Sequence, residues 1–404
     1  MLVGKVVCIT FTTSEEVLMP EVDIFQLMDR WGPEKVVCVS DRRSGMKGVV
    51  VIDNTARGTG KGGTRMSADL SIGEVARLAR TMTWKWAAVD LFHGGAKAGI
   101  LGDPTGPGKE AILRAFARAL ANEVPHEYVF GLDMGLAEKD AAIFVDELRD
   151  RGVATGLPAT LGGTPYDKLG ITGYGVAEAA GAAAETTGID LRGARVAIQG
   201  FGAVGVATAA RLQEMGAVLV AVSNAVGAVA DPDGLDVAAL TKLRDEAGDE
   251  GIRDYGRPLL DRDEALRLPC DVLVPAAGQD AIGTDIAHAT TARLVVEGAN
   301  MPTTADAKGV LESRGVAIVP DFIANAGGII AAAYSMDARY SPFPVDTRRV
   351  FETVTEKMRG NTTAVLGAAA RTGRGTHQAA LDLAQSRVRT AMELRGQWLV
   401  DEPA

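Results

Sequence analysis

At 404 residues the chain exceeds what one hydrophobic core usually organises, and two domains are expected. Apolar residues make up 47% and charged ones 23%, the balance of a soluble globular protein rather than a disordered or fibrous one. The net charge of −10, with no Lys/Arg run long enough to follow a phosphate backbone, argues against a nucleic-acid partner.

A short β-like run, Val6 to Phe11, and a helix-like segment around Ile24 to Trp31 open the chain without readable chemistry. The apolar start is short, lacks a small-residue cleavage pattern and runs into Glu15 and Glu16, so neither a signal peptide nor a membrane span is expected. Cys8, Cys38 and Cys270 are odd in number, and none stands at metal-ligand spacing from a histidine. Free thiols in a reducing cytoplasm, and no metal, are the expectation. Between Glu34 and Asp53, VVCVSD, RRSGMKG and VVVID read as strand, turn and strand.

The stretch from Thr59 to Pro104 carries Lys61, Lys85 and Lys97, two of them beside glycine pairs in KGGTR and GGAKAG. Glycine lets backbone and ammonium approach a small ligand closely. Between them, Ser71 to about Asp90 has helical spacing, with Ile72, Val75, Leu78, Ala79, Met82 and Ala87 near one stripe and Lys85 close to the end. Lysines are ordinarily solvated surface groups. Three in apolar or glycine surroundings call for an anion, because a buried ammonium is costly alone. A carboxylate-bearing substrate supplies one, and a desolvated lysine can serve as a general base.

A helix from Lys109 to about Glu123 follows, then VPHEYVFGLDMG, where Asp133 stands after a strand-like run and is placed to N-cap the helix in AEKDAAIFVDELRD. Arg151 to Gly170 is Gly- and Pro-rich, an interdomain crossing, and ITGYGVAEAAGAAAETTG begins a helix on its far side. VAIQGFGAVGVATAARLQEMGAVLVAVSN then reads as strand, GxGxxG turn, helix, strand. Gly200 permits the tight turn, Gly202 lets the backbone reach a pyrophosphate, and Gly205 lets helix pack on strand. Ala203 and Val204 lie in the turn that offers its N–H groups to phosphate. At the end of the second strand stands Asn224, not the acidic residue that repels a 2′-phosphate, yet no Lys or Arg follows before Lys242. NAD is favoured and NADP tolerated.

CDVLVPAA, ARLVVEGAN and VAIVPDF read as further parallel strands. Ligands sit at the carboxyl ends of such strands, which makes Ala276, Ala277, Asn300 and Asn325 candidates for the cofactor cleft, the asparagines doubling as turn residues. From Asp346 onward two helices flank a Gly-containing break.

These motifs resemble the glutamate/leucine/phenylalanine/valine dehydrogenase superfamily, closest to its glutamate type, which has KGGxR, a helix with MTxK, and GGAKxG. The separations agree, 24 residues from Lys61 to Lys85 and 12 from Lys85 to Lys97. The resemblance implies an α/β fold of two domains: an N-terminal substrate and oligomerisation domain (1–165), an inserted Rossmann-type domain (166–338), and C-terminal helices (339–404) that complete the first domain. It implies NAD(P)-dependent, reversible oxidative deamination of an L-amino acid, glutamate first, to the 2-oxo acid and ammonia by a cytoplasmic homo-oligomer. Lys85 would hold the α-carboxylate, Lys97 would activate water, Asp133 would shuttle the amino-group proton and Lys61 would meet a distal carboxylate. Thr172 matches the threonine near the nicotinamide carboxamide, while Asn300 and Asn325 match positions near the nicotinamide ribose and substrate. Ala332 falls where glutamate-type members carry a serine, Asp280 replaces an asparagine, and Asp90 and His93 precede GGAK where apolar residues or proline are commoner. These departures leave room for a branched-chain, aromatic or unusual amino acid. Two other classes stand as alternatives, a non-catalytic nucleotide-binding regulator and a hydroxy-acid dehydrogenase, the latter lacking a histidine beside a cationic anchor.

Overall fold

The computed structural model describes residues 24–166 and 168–398. The expected strand at Val6–Phe11 and Cys8 lie outside those residues. β1 (Lys35–Asp41) and β2 (Met46–Asn54) pair antiparallel as the sequence predicts. Between them the Asp41 carboxylate accepts from the Ser44 N–H at 2.9 Å and Gly45 takes φ +74°. β3 (Gly60–Lys61), β4 (Thr64–Ser67), α1 (Ile72–Ala88), β5 (Gly94–Leu101), α2 (Lys109–Ala119), β6 (Tyr128–Val129) and α3 (Glu138–Leu148) complete the first unit. The sheet order is β1-β2-β5-β3-β6, with β4 also on β5.

Strand periodicity decides which helix covers which face. Val49 and Val51 of β2 pack with Val75, Ala76 and Ala79 of α1, while Val50 and Ile52 join Phe116 of α2 and Phe144 of α3. The glycines of β5 bring α1 close to the sheet. A Cβ at Gly95 would lie 2.0 Å from Thr83 Oγ1, and one at Gly99 2.3 Å from Leu70 Cδ2.

The second unit starts with α4 (Ile171–Thr187) and continues through β7 (Arg195–Gln199), α5 (Ala203–Glu214), β8 (Val218–Ser223), β9 (Ala228–Ala230), α6 (Val237–Ala247), β10 (Val272–Pro275), α7 (Thr284–Ala289), β11 (Leu294–Val296), α8 (Ala305–Ser313), β12 (Ala317–Val319), α9 (Asp321–Ala324) and α10 (Gly327–Asp337). Its sheet runs β12-β11-β10-β7-β8-β9, parallel except for the β8–β9 hairpin. Strand order reverses between β7 and β10, so a ligand crevice opens at their carboxyl ends. α11 (Thr347–Thr372) packs on α4, and α12 (Thr376–Leu394) reaches back to α1. Among the described residues no helix is long and apolar enough to cross a membrane.

Three sequence expectations are corrected. The Ile24–Trp31 segment forms only a 3-10 turn at Ile24–Leu27, because the Asp29 carboxylate takes the Trp31 N–H at 2.8 Å and competes with the helix. α2 stops at Ala119 rather than near Glu123, ahead of Val124-Pro125, where proline disfavours the helical conformation of its predecessor. Asp133 does not cap α3, which starts five residues later: Ala137 is the N-cap residue, and Asp140 Oδ2 accepts its N–H at 2.7 Å.

Candidate active site

Lys61, Lys85 and Lys97 come from β3, α1 and β5, three elements held together by the first sheet, and all three are buried, with exposures of 3%, 9% and 7%. Lys97 Nζ lies 2.6 Å from Asp133 Oδ2. Arg65 Nε donates to that same oxygen at 3.2 Å, and its Nη1 is anchored 2.6 Å from Glu74 Oε1 on α1. Burial pushes the Lys97 ammonium below its ordinary range, and Asp133 resists that fall. Burial works to raise Asp133 in turn, but Lys97 and Arg65 overcome it and hold the carboxyl below its usual value. The pair therefore joins an easily deprotonated amine to a firmly ionised carboxylate.

Lys85 reaches across to the second unit. Its Nζ donates to Asn300 Oδ1 at 2.7 Å and Asn325 Oδ1 at 3.1 Å, and Asn325 Nδ2 donates back to Asn300 Oδ1 at 3.1 Å. Two of its three N–H bonds are thus committed to neutral carboxamides, and one remains for an anion. Burial lowers its pKa and Asp321 partly restores it.

Lys61 sits deepest. Its Nζ donates to Val129 O at 3.2 Å, Phe130 O at 2.8 Å and Thr155 Oγ1 at 2.7 Å, and Trp86 Nε1 clamps its own carbonyl at 3.0 Å. Among the described residues no carboxylate pairs with it. Burial, followed by the charges of Arg339 and Lys97, drives it well below the usual lysine range. His93, between α1 and β5, packs edge-on to Trp86 at 4.9 Å with Nδ1 unpartnered, and burial followed by Lys61 lowers it to about 4. Its ring is neutral. Asp90 takes φ +55° and pairs with Arg57 at 2.7 Å, closing its loop.

The nucleotide turn lies between β7 and α5. Gly200 has φ +95°, and its added Cβ would lie 2.7 Å from the Ala277 backbone, so this glycine lets the β10 loop close on the turn. A Cβ at Gly205 would fall 1.9 Å from Gly200 O, whereas one at Gly202 meets nothing within 4 Å. Gly202 is the N-cap residue of α5 and no side chain caps the helix, so the first-turn N–H groups at Ala203 and Val204 stay available for a phosphate. The residues present fit a dinucleotide. Thr172, in the first turn of α4, approaches Gly328, whose Cβ would be 2.8 Å from Thr172 Oγ1. Ala276 and exposed Ala277 follow β10. Asn224 is occupied in the β8–β9 turn, accepting from Val226 N at 2.9 Å and donating to Asp249 O at 2.7 Å. Ala332 lies on α10, and Asp280 is exposed with φ +54°.

Arg65, Thr155, Trp86 and Arg339 were not singled out in the sequence. Arg65 had a local signal, since it closes KGGTR four residues after Lys61. Thr155 and Arg339 had none, being brought to Lys61 only by the tertiary fold.

A glycine turn opening a helix at a sheet's switch point, facing a cleft with three lysines and one carboxylate, defines a dinucleotide-dependent enzyme acting on a small anion. A sequence profile described as glutamate/leucine/phenylalanine/valine dehydrogenase matches residues 162–396, and one described as the dimerisation domain of those dehydrogenases matches 33–150. The chain belongs to this family of amino acid dehydrogenases. It is 35% identical over 361 residues to a glutamate dehydrogenase of Thermotoga maritima, covering 86% of each chain. To the NAD-specific glutamate dehydrogenase of Staphylococcus aureus it is 35% identical over 315 residues, 76% of this chain and 75% of the other. In three dimensions it is similar to the leucine-bound form of a hetero-hexameric glutamate dehydrogenase from Thermus thermophilus, with a TM-score of 0.79, 32% identity and 93% of each chain covered.

Proposed function

We propose that the chain catalyses reversible oxidative deamination of L-glutamate to 2-oxoglutarate and ammonia, with NAD as hydride acceptor. The observation that carries the substrate choice is Lys61, a buried ammonium surrounded by neutral oxygens alone. Burying a cation without a counter-ion is costly, and a distal carboxylate on the substrate removes that cost. An apolar side chain would leave it.

Lys85 binds the substrate α-carboxylate through its free N–H while Asn300 and Asn325 fix the ammonium from the other side. Gly200, Gly202, Gly205 and the first turn of α5 would hold the dinucleotide, which would supply the hydride acceptor for the α-hydrogen. Thr172, Ala276 and Ala277 would hold its nicotinamide end, and Asn224 would serve its adenosine ribose. Lys97, readily deprotonated because it is buried, takes a proton from the water that attacks the imine carbon. Asp133, 2.6 Å away, exchanges the proton of the departing or arriving amine. Arg65 orients Asp133. That no Lys or Arg stands between Asn224 and Lys242 in the sequence favours NAD, as does similarity to a relative named NAD-specific.

The same reading has domain boundaries at 165/166 and 338/339, with α12 returning to α1 of the first domain while α11 packs on α4 of the dinucleotide domain. Similarity to a dimerisation-domain profile and to a hetero-hexameric relative supports an oligomer, read here as one of identical chains. Its location is the cytoplasm, where Cys38 and Cys270 stay reduced.

Reductive amination by the purified protein with ammonia, NADH or NADPH, and a panel of 2-oxo acids tests this. The expected result is highest kcat/KM with 2-oxoglutarate and NADH. Preference for a branched-chain or aromatic 2-oxo acid would reject glutamate while retaining the roles of Lys85, Lys97 and Asp133.

A further inference from the structure

A second cation, Arg339, acts on Lys61. Arg339 lies in the 3-10 turn Ala338–Tyr340 that follows α10. Its Nε donates to Met336 O at 2.9 Å and its Nη1 to Gly152 O at 2.8 Å. The remaining guanidinium donors make no ion pair with any described residue; the group lies over the Tyr340 ring at 6.0 Å, and Asp150 and Asp337 act on it only through space. Arg339 and Thr155 line one cavity of about 20 Å³ together with Gly156, Gly163 and Ser335, room for about one water. Thr155 is the hydroxyl that receives Lys61 Nζ at 2.7 Å. Thr155 thus joins Lys61 to the cavity that Arg339 lines.

A buried ammonium and a half-buried guanidinium, close enough to repel and without a carboxylate in contact with either, are jointly unfavourable until an anion arrives. We propose that Arg339 is a second anchor for the distal acidic group of the substrate, one carboxylate oxygen taking a Lys61 N–H in exchange for one of its neutral acceptors and the other meeting the guanidinium. The site then selects amino acids ending in a carboxylate through two cations from opposite walls. A single ammonium holds such a group as a point charge, whereas the guanidinium fork also fixes its plane. The inference rests on the amino acid dehydrogenase reading above and deepens it.

The test measures binding of glutarate and of pentanoate, which differ by the distal carboxylate, to the full-length protein with saturating NADH. Wild type, R339Q and R339K are compared, with melting temperatures recorded. Wild type is expected to bind glutarate at least about tenfold more tightly than pentanoate, and R339Q to lower that ratio about tenfold to a hundredfold, as for a lost charge-assisted hydrogen bond. R339K keeps the charge without the fork and is expected to lower it about threefold to tenfold. An unchanged ratio in R339Q, or no preference in wild type, overturns the proposal. Should R339Q fail to fold, an unchanged ratio in R339K does so. A wild type that turns over only apolar 2-oxo acids, yet whose glutarate preference falls in R339Q, sinks glutamate as substrate and leaves the second anchor standing.

Discussion

Lys97 and Asp133 are set against each other. Burial lowers the lysine, and the carboxylate 2.6 Å away is what props it up. Asp133→Asn removes that support, so the rising limb of kcat/KM against pH should move to lower pH while the plateau drops about 10²- to 10⁴-fold. A limb that stays in place would show that Lys97 is not the group titrating. Lys61 makes a prediction of opposite character, on stability. Its folded pKa lies well below the model-peptide value of 10.5, so over the window between the two the unfolded chain binds more protons and stability rises with pH. Lys61→Met should flatten that part of the rise in melting temperature, and glutarate should suppress it in the wild type. Equal slopes in both proteins would mean the ammonium is already compensated. The sequence made these lysines legible because glycine pairs and an apolar helix are poor settings for ordinary surface charge. It could not show what each ammonium touches: Thr155 lies 94 residues from Lys61, and no local pattern links them.

At the scale of the β7–α5 unit, the three glycines serve separate purposes and their substitutions should separate as well. A methyl at Gly205 would strike Gly200 O at 1.9 Å, a backbone atom that cannot move without opening the turn. Gly205→Ala should therefore lower both the melting temperature and NADH affinity. At Gly202 a methyl meets no protein atom within 4 Å, and φ −83° suits any residue. Gly202→Ala should leave the melting temperature within a degree or two of wild type but raise the KM for NADH tenfold or more, because the methyl stands where the pyrophosphate approaches. If both variants lose only stability, the turn is structural and holds no phosphate. Elements of this kind were readable since their signals are local, a β-branched run, a glycine turn and a helix within 30 residues. The start of α3 was misread for the same reason in reverse. Asp133 has the right residue type for a cap, but Asp140 already closes the first turn and Asp133 is drawn instead to Lys97 and Arg65, contacts made across the sheet.

Across the whole molecule, the substrate anchor depends on the far end of the chain. α1 carries Lys85 in its last turn, where the final carbonyls of a helix lack internal partners and carry partial negative charge. Arg387 of α12 supplies the missing donor, its Nη1 lying 2.8 Å from both Ala87 O and Ala88 O, and Lys357 of α11 donates to Asp90 O at 3.1 Å. Asn300 and Asn325 hold Lys85 from the dinucleotide side, so both units fix the same helix end. Arg387→Ala leaves the Ala88 carbonyl without its donor, while Ala87 O keeps the Asp90 N–H at 3.0 Å, at an expected cost of about 1–3 kcal/mol in unfolding free energy. If the clamp also positions Lys85, the KM for the 2-oxo acid should rise several-fold while the KM for NADH stays near wild type, since the β7–α5 turn is untouched. Arg387→Lys, which can still donate to one carbonyl, should fall between. A stability loss with both KM values unchanged would assign α12 to architecture alone, and would place the alignment of Lys85 with the two asparagines in the closure of the cleft.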